Sequence, residues 1–308
     1  MDQIRIALVG YGSVARKDHV PVISRLGEFE LAAIVEPNSC DSSLPTFKDV
    51  DELVSAMPDI DAVSVCTPPQ VRFGIAECAI RRGLHVMLEK PPCRKVAEVD
   101  ELIRQSTASG TALFATWYAR CSAAVAPARE ILHGTSVRAA HVKWHEDVRE
   151  WHPGQHWLWD EGGFGAFDPG INALSLLTTL LPGRLSVVSS ELSIPSNRAM
   201  PAAVRLQLAT AEGIPVDVDV DMLRPRTLIW DIAFETDAGR IVLSEGGASL
   251  SRNGQILPVG PSTKYLHLYR RFGALVRETA IDVDTEPLRI VEEALAAATR
   301  RTIEPFVD

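Results

Sequence analysis

The sequence predicts an α/β protein: a doubly wound parallel sheet in the N-terminal part, then a strand-rich α+β domain. Three observations carry that expectation. Apolar runs alternate with helix-spaced segments up to about residue 120; a GxGxxA spacing follows the first run; and short strands of alternating character succeed one another from Leu185 to Ser251 between Gly, Pro and Asp turns. A chain of 308 residues, 46% hydrophobic and 23% charged, has the length for two domains, each with its own core. The break is placed near Cys121, giving domains 1–121 and 122–308.

The first strand is Ile4 to Val9 in "IRIALVGYGSVARKDHV", and Gly10, Gly12 and Ala15 follow it in GxGxxA spacing. Gly10 permits a tight turn, Gly12 lets backbone N–H groups approach a pyrophosphate, and Ala15 is small enough for helix and strand to pack closely. The helix start favours an anion, so Ser13 and Val14 join the two glycines as expected cofactor contacts. The second strand, "FELAAIVEP", ends at Glu36, 24 residues past Gly12. An acidic side chain at that place accepts hydrogen bonds from the adenosine ribose and repels a 2′-phosphate, so NAD is the expected cofactor. Nearby arginines leave NADP open, and the alternative for Glu36 is a solvated residue ahead of the Pro37-Asn38 turn.

"IDAVSVCTPPQVR" is a buried parallel-strand run broken by Pro68-Pro69, with a helix from about Val71 to Arg82. "GLHVMLEKPP" is the next strand, "KVAEVDELIRQSTASG" has helical spacing, and "ALFATWYARC" reads as another strand. Ligands of such sheets bind beyond the carboxyl ends of the strands, and Gly10, Glu36, Thr67-Pro68, Lys90 and Trp117-Tyr118 all fall there. Thr67, Pro68, Glu89 and Lys90 are therefore expected at the cofactor. Neighbours in an extended segment point to opposite faces, so Glu89 leaves Lys90 able to reach over the crevice. Pro91 and Pro92 stiffen that support, and whether one of their bonds is cis is open at this stage. The alternative is a surface lysine at a strand stop.

In the second half, "GGFGAFDPGINALSLLTTLLPG" begins with loose glycines, takes Asp168 as an N-cap with Pro169 at the first helical position, and runs apolar to Pro182-Gly183. Asn172 lies four residues on, near the same face. "EDVREWHPGQHWLW" concentrates Trp151, His152, Trp157 and Trp159 within nine positions. Indole faces suit the C–H faces of a sugar, with Glu146 and His152 able to bond its hydroxyls; a tryptophan cluster closing the core is the alternative. His141, His145, His152 and His156 match no compact ligand spacing, and no metal is expected. "YLHLYRRFGALVRE" and "PLRIVEEALAAATRRT" read as amphipathic helices.

A formal charge of -9 and scattered Lys and Arg argue against nucleic-acid or anionic-membrane partners, which leaves a small molecule as the ligand. No uninterrupted apolar stretch is long enough to span a bilayer and the N-terminus is not signal-like, so a cytoplasmic location is expected. The five cysteines, Cys40, Cys66, Cys78, Cys93 and Cys121, are odd in number and lack CxxC spacing, which suits reduced, mostly buried thiols.

"GYGSVA", "CTPP" and "EKPP" in that order, followed by "WHPGQHWLWDEGGFGAFDPGIN", resemble the glucose-fructose oxidoreductase and inositol dehydrogenase family over nearly the whole chain, closest to its aldose 1-dehydrogenase branch. The resemblance implies a Rossmann domain followed by an α+β domain with a large, mostly antiparallel open sheet. It implies NAD(P)-dependent oxidation of the anomeric hydroxyl of an aldopyranose, of L-arabinose, D-galactose or D-fucose type, to the lactone. Lys90 matches the lysine of the family's EKP motif and Asp168 its acidic residue. Many members carry a histidine where this chain has Asn172, and the branch pattern is Lys, Asp and Asn. The expected catalytic trio is then Lys90, Asp168 and Asn172, with Tyr118, Glu146, Trp151, His152 and Trp159 completing the sugar contacts. The second sheet offers a surface able to pair subunits into a homo-oligomer. Two other readings stay open: a cyclitol dehydrogenase making a ketone, and a non-catalytic regulator that senses sugar and dinucleotide.

Overall fold

The computed structural model describes residues 3–38 and 41–307, and Cys40 lies outside them. In chain order, β1 is Ile4–Val9, β2 Phe29–Val35, β3 Thr46–Phe47, β4 Ala62–Val65, β5 His85–Leu88 and β6 Leu113–Ala115. β7 is Val137–His145, β8 Leu185–Pro195, β9 Ala203–Thr210, β10 Pro215–Asp221 and β11 Ile229–Thr236. β12 is Gly239–Ser244, β13 Ser249–Arg252, β14 Gln255–Leu257, β15 Ile281–Asp282 and β16 Thr299–Ile303. These strands form two sheets in two units. One unit takes Met1–Trp117 and Tyr265–Thr285, the other Tyr118–Lys264 and Glu286–Asp308.

In the first unit the strand order is β15-β6-β5-β4-β1-β2-β3, every pairing parallel. That is the doubly wound arrangement, with its switch point between β1 and β4. The central strands are buried at every position but Arg5 and His85 because helices cover both faces of such a sheet, which explains their largely apolar runs. The helix after β4 is Pro69–Arg81, starting two residues before the sequence expectation, because Pro69 occupies its first position and needs no N–H partner there. β6 is shorter than expected: Ala115 ends it, and a 3-10 turn covers Tyr118–Cys121. Residues 265–285 return to this unit from far along the chain. Tyr269 and Phe272, fully buried on the helix Lys264–Glu278, pack on Phe29, and Phe272 also stacks on Phe114 at 6.4 Å.

In the second unit a nine-stranded sheet runs β14-β13-β12-β11-β7-β10-β9-β8-β16. Its pairings are antiparallel except β7 with β10 and β8 with β16. Strands such as β9 and β10 alternate buried and open positions, the pattern of a sheet with one covered face. The helix Phe167–Leu180 is buried almost all round, and Gly170 lets it approach Val220 of β10, whose side chain would lie 3.1 Å from a Cβ there. Cys66, Cys78, Cys93 and Cys121 are free thiols, of which Cys93 is fully buried and the other three half-buried. Among the described residues no helix is long and apolar enough to cross a membrane.

Candidate active site

The glycine loop of the first unit is built as the spacing requires. Gly10 follows β1 with φ +87, and a Cβ there would meet Thr67 Cγ2 at 2.9 Å and the Thr67 nitrogen at 3.0 Å, so only glycine fits against the end of β4. Gly12, by contrast, has open space where its Cβ would be, and Gly12, Ser13 and Val14 are exposed. A ligand can therefore reach the backbone of the loop. Ala15 is fully buried, as close packing of helix and strand demands.

Glu36 does more than punctuate a turn. Its carboxylate accepts the Tyr11 N–H at 3.1 Å, inside the glycine loop, and the Asn38 N–H at 3.4 Å. Thr67 and Pro68 follow β4, half-buried, and Thr67 Oγ1 is a buried oxygen without a hydrogen-bond partner among the described residues. An open glycine turn, a carboxylate at the end of β2 and an orphaned hydroxyl at the end of β4 fit a dinucleotide laid across the carboxyl ends of the strands.

Lys90 comes two residues after β5, half-buried, and the Lys90-Pro91 bond is cis. Its backbone N–H donates to Glu89 Oε2 at 2.9 Å. Glu89 itself is 5% exposed, and its Oε1 accepts from the Tyr265 hydroxyl at 2.9 Å and lies 3.2 Å from His19 Nε2. The buried Arg72 guanidinium donates to the carbonyls of Glu89, Pro91 and Thr67, which binds the ends of β4 and β5 to each other. Burial works against the imidazolium of His19, yet Cys66, Tyr269 and Glu89 hold its pKa well above the ordinary 6.5. Burial likewise opposes ionisation of Glu89, and the hydrogen bond and charge of His19, with Tyr265 and Arg72, hold that carboxyl below its ordinary value. The two directions agree on a buried ion pair.

In the second unit, Asp168 and Asn172 are 4% and 5% exposed on the helix Phe167–Leu180, one turn apart on one side. Asp168 is not the N-cap expected from the sequence. The helix begins at Phe167 with Ala166 before it, because the Ala166 N–H donates to the Pro201 carbonyl and Gly165, at φ +50, turns the chain one step earlier. A capping role therefore does not account for the carboxylate.

The aromatic segment divides. Glu146, 1% exposed, takes His152 Nε2 on Oε1 and the Trp230 indole N–H on Oε2, both at 2.8 Å. Trp151 is 43% exposed and meets Trp230 edge-on, 4.9 Å between centroids. Trp159 is buried on Phe306 at 4.7 Å, beside Arg198, the packing role that was its alternative. Tyr118 is half-buried, with Lys264 Nζ over its ring at 5.6 Å. His141 and His145 face Asp217 and Asp219 across β7 and β10. The residues sequence reasoning missed are His19, Arg72, Tyr265 and Tyr269 around Glu89, and Trp230 on Glu146. His19 had one signal, its place four residues after Ala15 on the same side of the helix; the tyrosines had none, since Tyr265 and Tyr269 lie 176 and 250 positions from Glu89 and His19.

The model of the oxidoreductase family with an NAD-binding Rossmann fold matches residues 4–116. Galactose 1-dehydrogenase of Pseudomonas fluorescens is 37% identical over 308 residues, 100% of both chains. The crystal structure of a D-galactose-1-dehydrogenase from Rhizobium etli superposes with a TM-score of 0.94 at 40% identity, covering 100% of this chain and 99% of that one. A 3-ketoreductase from Actinomadura kijaniata, solved with NADP and TDP-benzene, shares the fold at a TM-score of 0.86 and 16% identity, covering 98% of this chain and 100% of that one.

Proposed function

Because the chain belongs to the oxidoreductase family with an NAD-binding Rossmann fold, we propose that it oxidises the anomeric hydroxyl of a galactose-type aldopyranose to the aldonolactone. The observation that carries this reading is a buried Asp168-Asn172 pair on one helix side in a chain that matches a galactose 1-dehydrogenase from end to end. The dinucleotide, held by Gly10, Gly12, Ser13, Val14, Glu36, Thr67, Pro68 and the Glu89-Lys90 segment, supplies the two-electron acceptor when bound. In this reading Asp168 is the base for the proton of the C1 hydroxyl, and Lys90 is the cation that stabilises developing negative charge. Asn172 supplies an amide to a neighbouring hydroxyl. Trp151, at the open edge of its cluster, offers an indole face to the sugar, while Glu146 and His152 orient each other and present what remains of their bonding capacity. Tyr118 completes the proposed contacts, and Trp159 keeps its packing role against Phe306. The Glu36 carboxylate favours NAD over NADP.

The test is the near-ultraviolet absorbance of reduced nicotinamide with D-galactose, L-arabinose, D-fucose and a set of cyclitols, each with NAD and with NADP. Lactone from the aldoses is the expected product. A ketone from a cyclitol assigns the chain to the cyclitol reading, and no reduction with any compound assigns it to the sensor.

A further inference from the structure

We infer that His19 is a positioning residue, which through Glu89 fixes the backbone of Lys90 relative to the helix that follows the glycine loop. The inference rests on the proposed role of Lys90 and concerns a residue outside the direct contacts. His19 lies at the end of a π-helical turn, Ala15–His19, and Ala15 and His19 are the buried residues of that turn. One points at the strand packing and the other reaches the end of β5. There the imidazole has polar neighbours on every side: Glu89 Oε1 at 3.2 Å, Tyr269 Oη at 2.8 Å and Ser64 Oγ at 3.3 Å. The Tyr265 ring packs edge-on at 4.8 Å, and Ser64 is itself within 3.8 Å of Cys66 Sγ.

Glu89 then has each oxygen committed. Oε1 serves His19 and Tyr265, and Oε2 takes the N–H of Lys90. Pro91 and Pro92 have no N–H to offer, so Lys90 supplies the one amide at the strand exit that the carboxylate can hold. A buried acid beside a fully buried base is an expensive way to fill space that leucine would fill, and such a pair is best explained where direction matters. Here the direction set is that of the peptide carrying the proposed catalytic ammonium. Because the same π-helical turn continues the glycine loop, the pair also ties the dinucleotide side of the crevice to Lys90.

The experiment compares the full chain with His19→Gln, and with Tyr265→Phe, which removes one donor to Glu89 and leaves the ion pair intact. Two quantities are read: steady-state kinetics with D-galactose and NAD, and hydrogen exchange of peptides followed by mass spectrometry. For His19→Gln a fall in kcat of about 100-fold is expected, the size that a misplacement of about 1 Å produces. KM for both substrates stays within about twofold, since only an interaction realised in the transition state is lost. Tyr265→Phe loses about fivefold in kcat. In both variants exchange rises in the peptide covering residues 89–93, whose two prolines leave the Lys90 amide prominent, while the rest of the first unit keeps its protection. Unchanged exchange at 89–93 overturns the inference whatever kcat does, and so does a rise spread over the whole unit, which marks a purely structural residue. If the wild-type protein oxidises no aldose, the functional reading falls by itself and the exchange pattern still decides whether His19 anchors Lys90.

Discussion

At the scale of single residues, the site is a set of side chains whose partners set their chemistry. The spacing of Glu36 from Gly12 is the basis for proposing it as a ribose acceptor, and the structure shows that it grips the loop through the Tyr11 N–H. Glu36→Ala is expected to raise the NADP to NAD ratio of kcat/KM by about tenfold or more, the value of a hydrogen bond to a charged acceptor; an unchanged ratio removes Glu36 from cofactor choice. Lys90→Ala and Asp168→Asn are each expected to lower kcat by about 10²–10⁴ while NAD still binds, measured by turnover beside nucleotide titration. Near-normal turnover in either excludes that residue from the chemistry. Asp168 also shows where a local rule misleads. Asp followed by Pro is a good helix start by propensity, but the start was decided by a backbone bond from Ala166 to Pro201, remote in sequence.

Secondary-structure elements carry the next level of control. The helix Phe167–Leu180 owes its beginning to Gly165, where positive φ coincides with a Cβ position 2.3 Å from the Pro201 carbonyl oxygen. Gly165→Ala is expected to cost about 1–3 kcal/mol and to displace the first helical turn, read as a lower midpoint in urea together with loss of turnover. The π-helical turn and the end of β5 are joined by the His19-Glu89 pair, which makes stability depend on pH from both directions. The folded pKa of Glu89 lies below its ordinary 4.5, so its contribution is present above that value and lost as pH falls through the folded one. The folded pKa of His19 lies above its ordinary 6.5, so its contribution is complete below 6.5 and lost as pH rises through the folded one. The Tm difference between the wild-type protein and His19→Gln is therefore expected to be greatest between about 4.5 and 6.5 and to shrink on the alkaline side. A difference that grows steadily with pH contradicts the ion pair.

For the whole molecule, the division of the chain is not the one a linear reading places near Cys121. The first unit recruits residues 265–285, so Tyr269 and Phe272 close a core begun by Phe29 and Phe114. A fragment ending at residue 121 is expected to bind a hydrophobic dye and to melt without a cooperative transition, whereas the same fragment with residues 260–285 attached by a linker melts cooperatively. A sharp transition in the shorter piece means the returning segment is dispensable. The sequence by itself determined the parallel sheet, the cofactor loop and the strand ends that bear Lys90 and Glu36, because continuous apolar runs, glycine geometry and strand punctuation are local properties of the chain. Tertiary structure decided what surrounds Glu89, which indole serves packing and which stays open, where the helix of Asp168 begins, and to which unit the segment 265–285 belongs. Those outcomes depend on contacts between residues far apart in sequence, and a buried charge or an aromatic face takes whichever partner the folded chain brings to it.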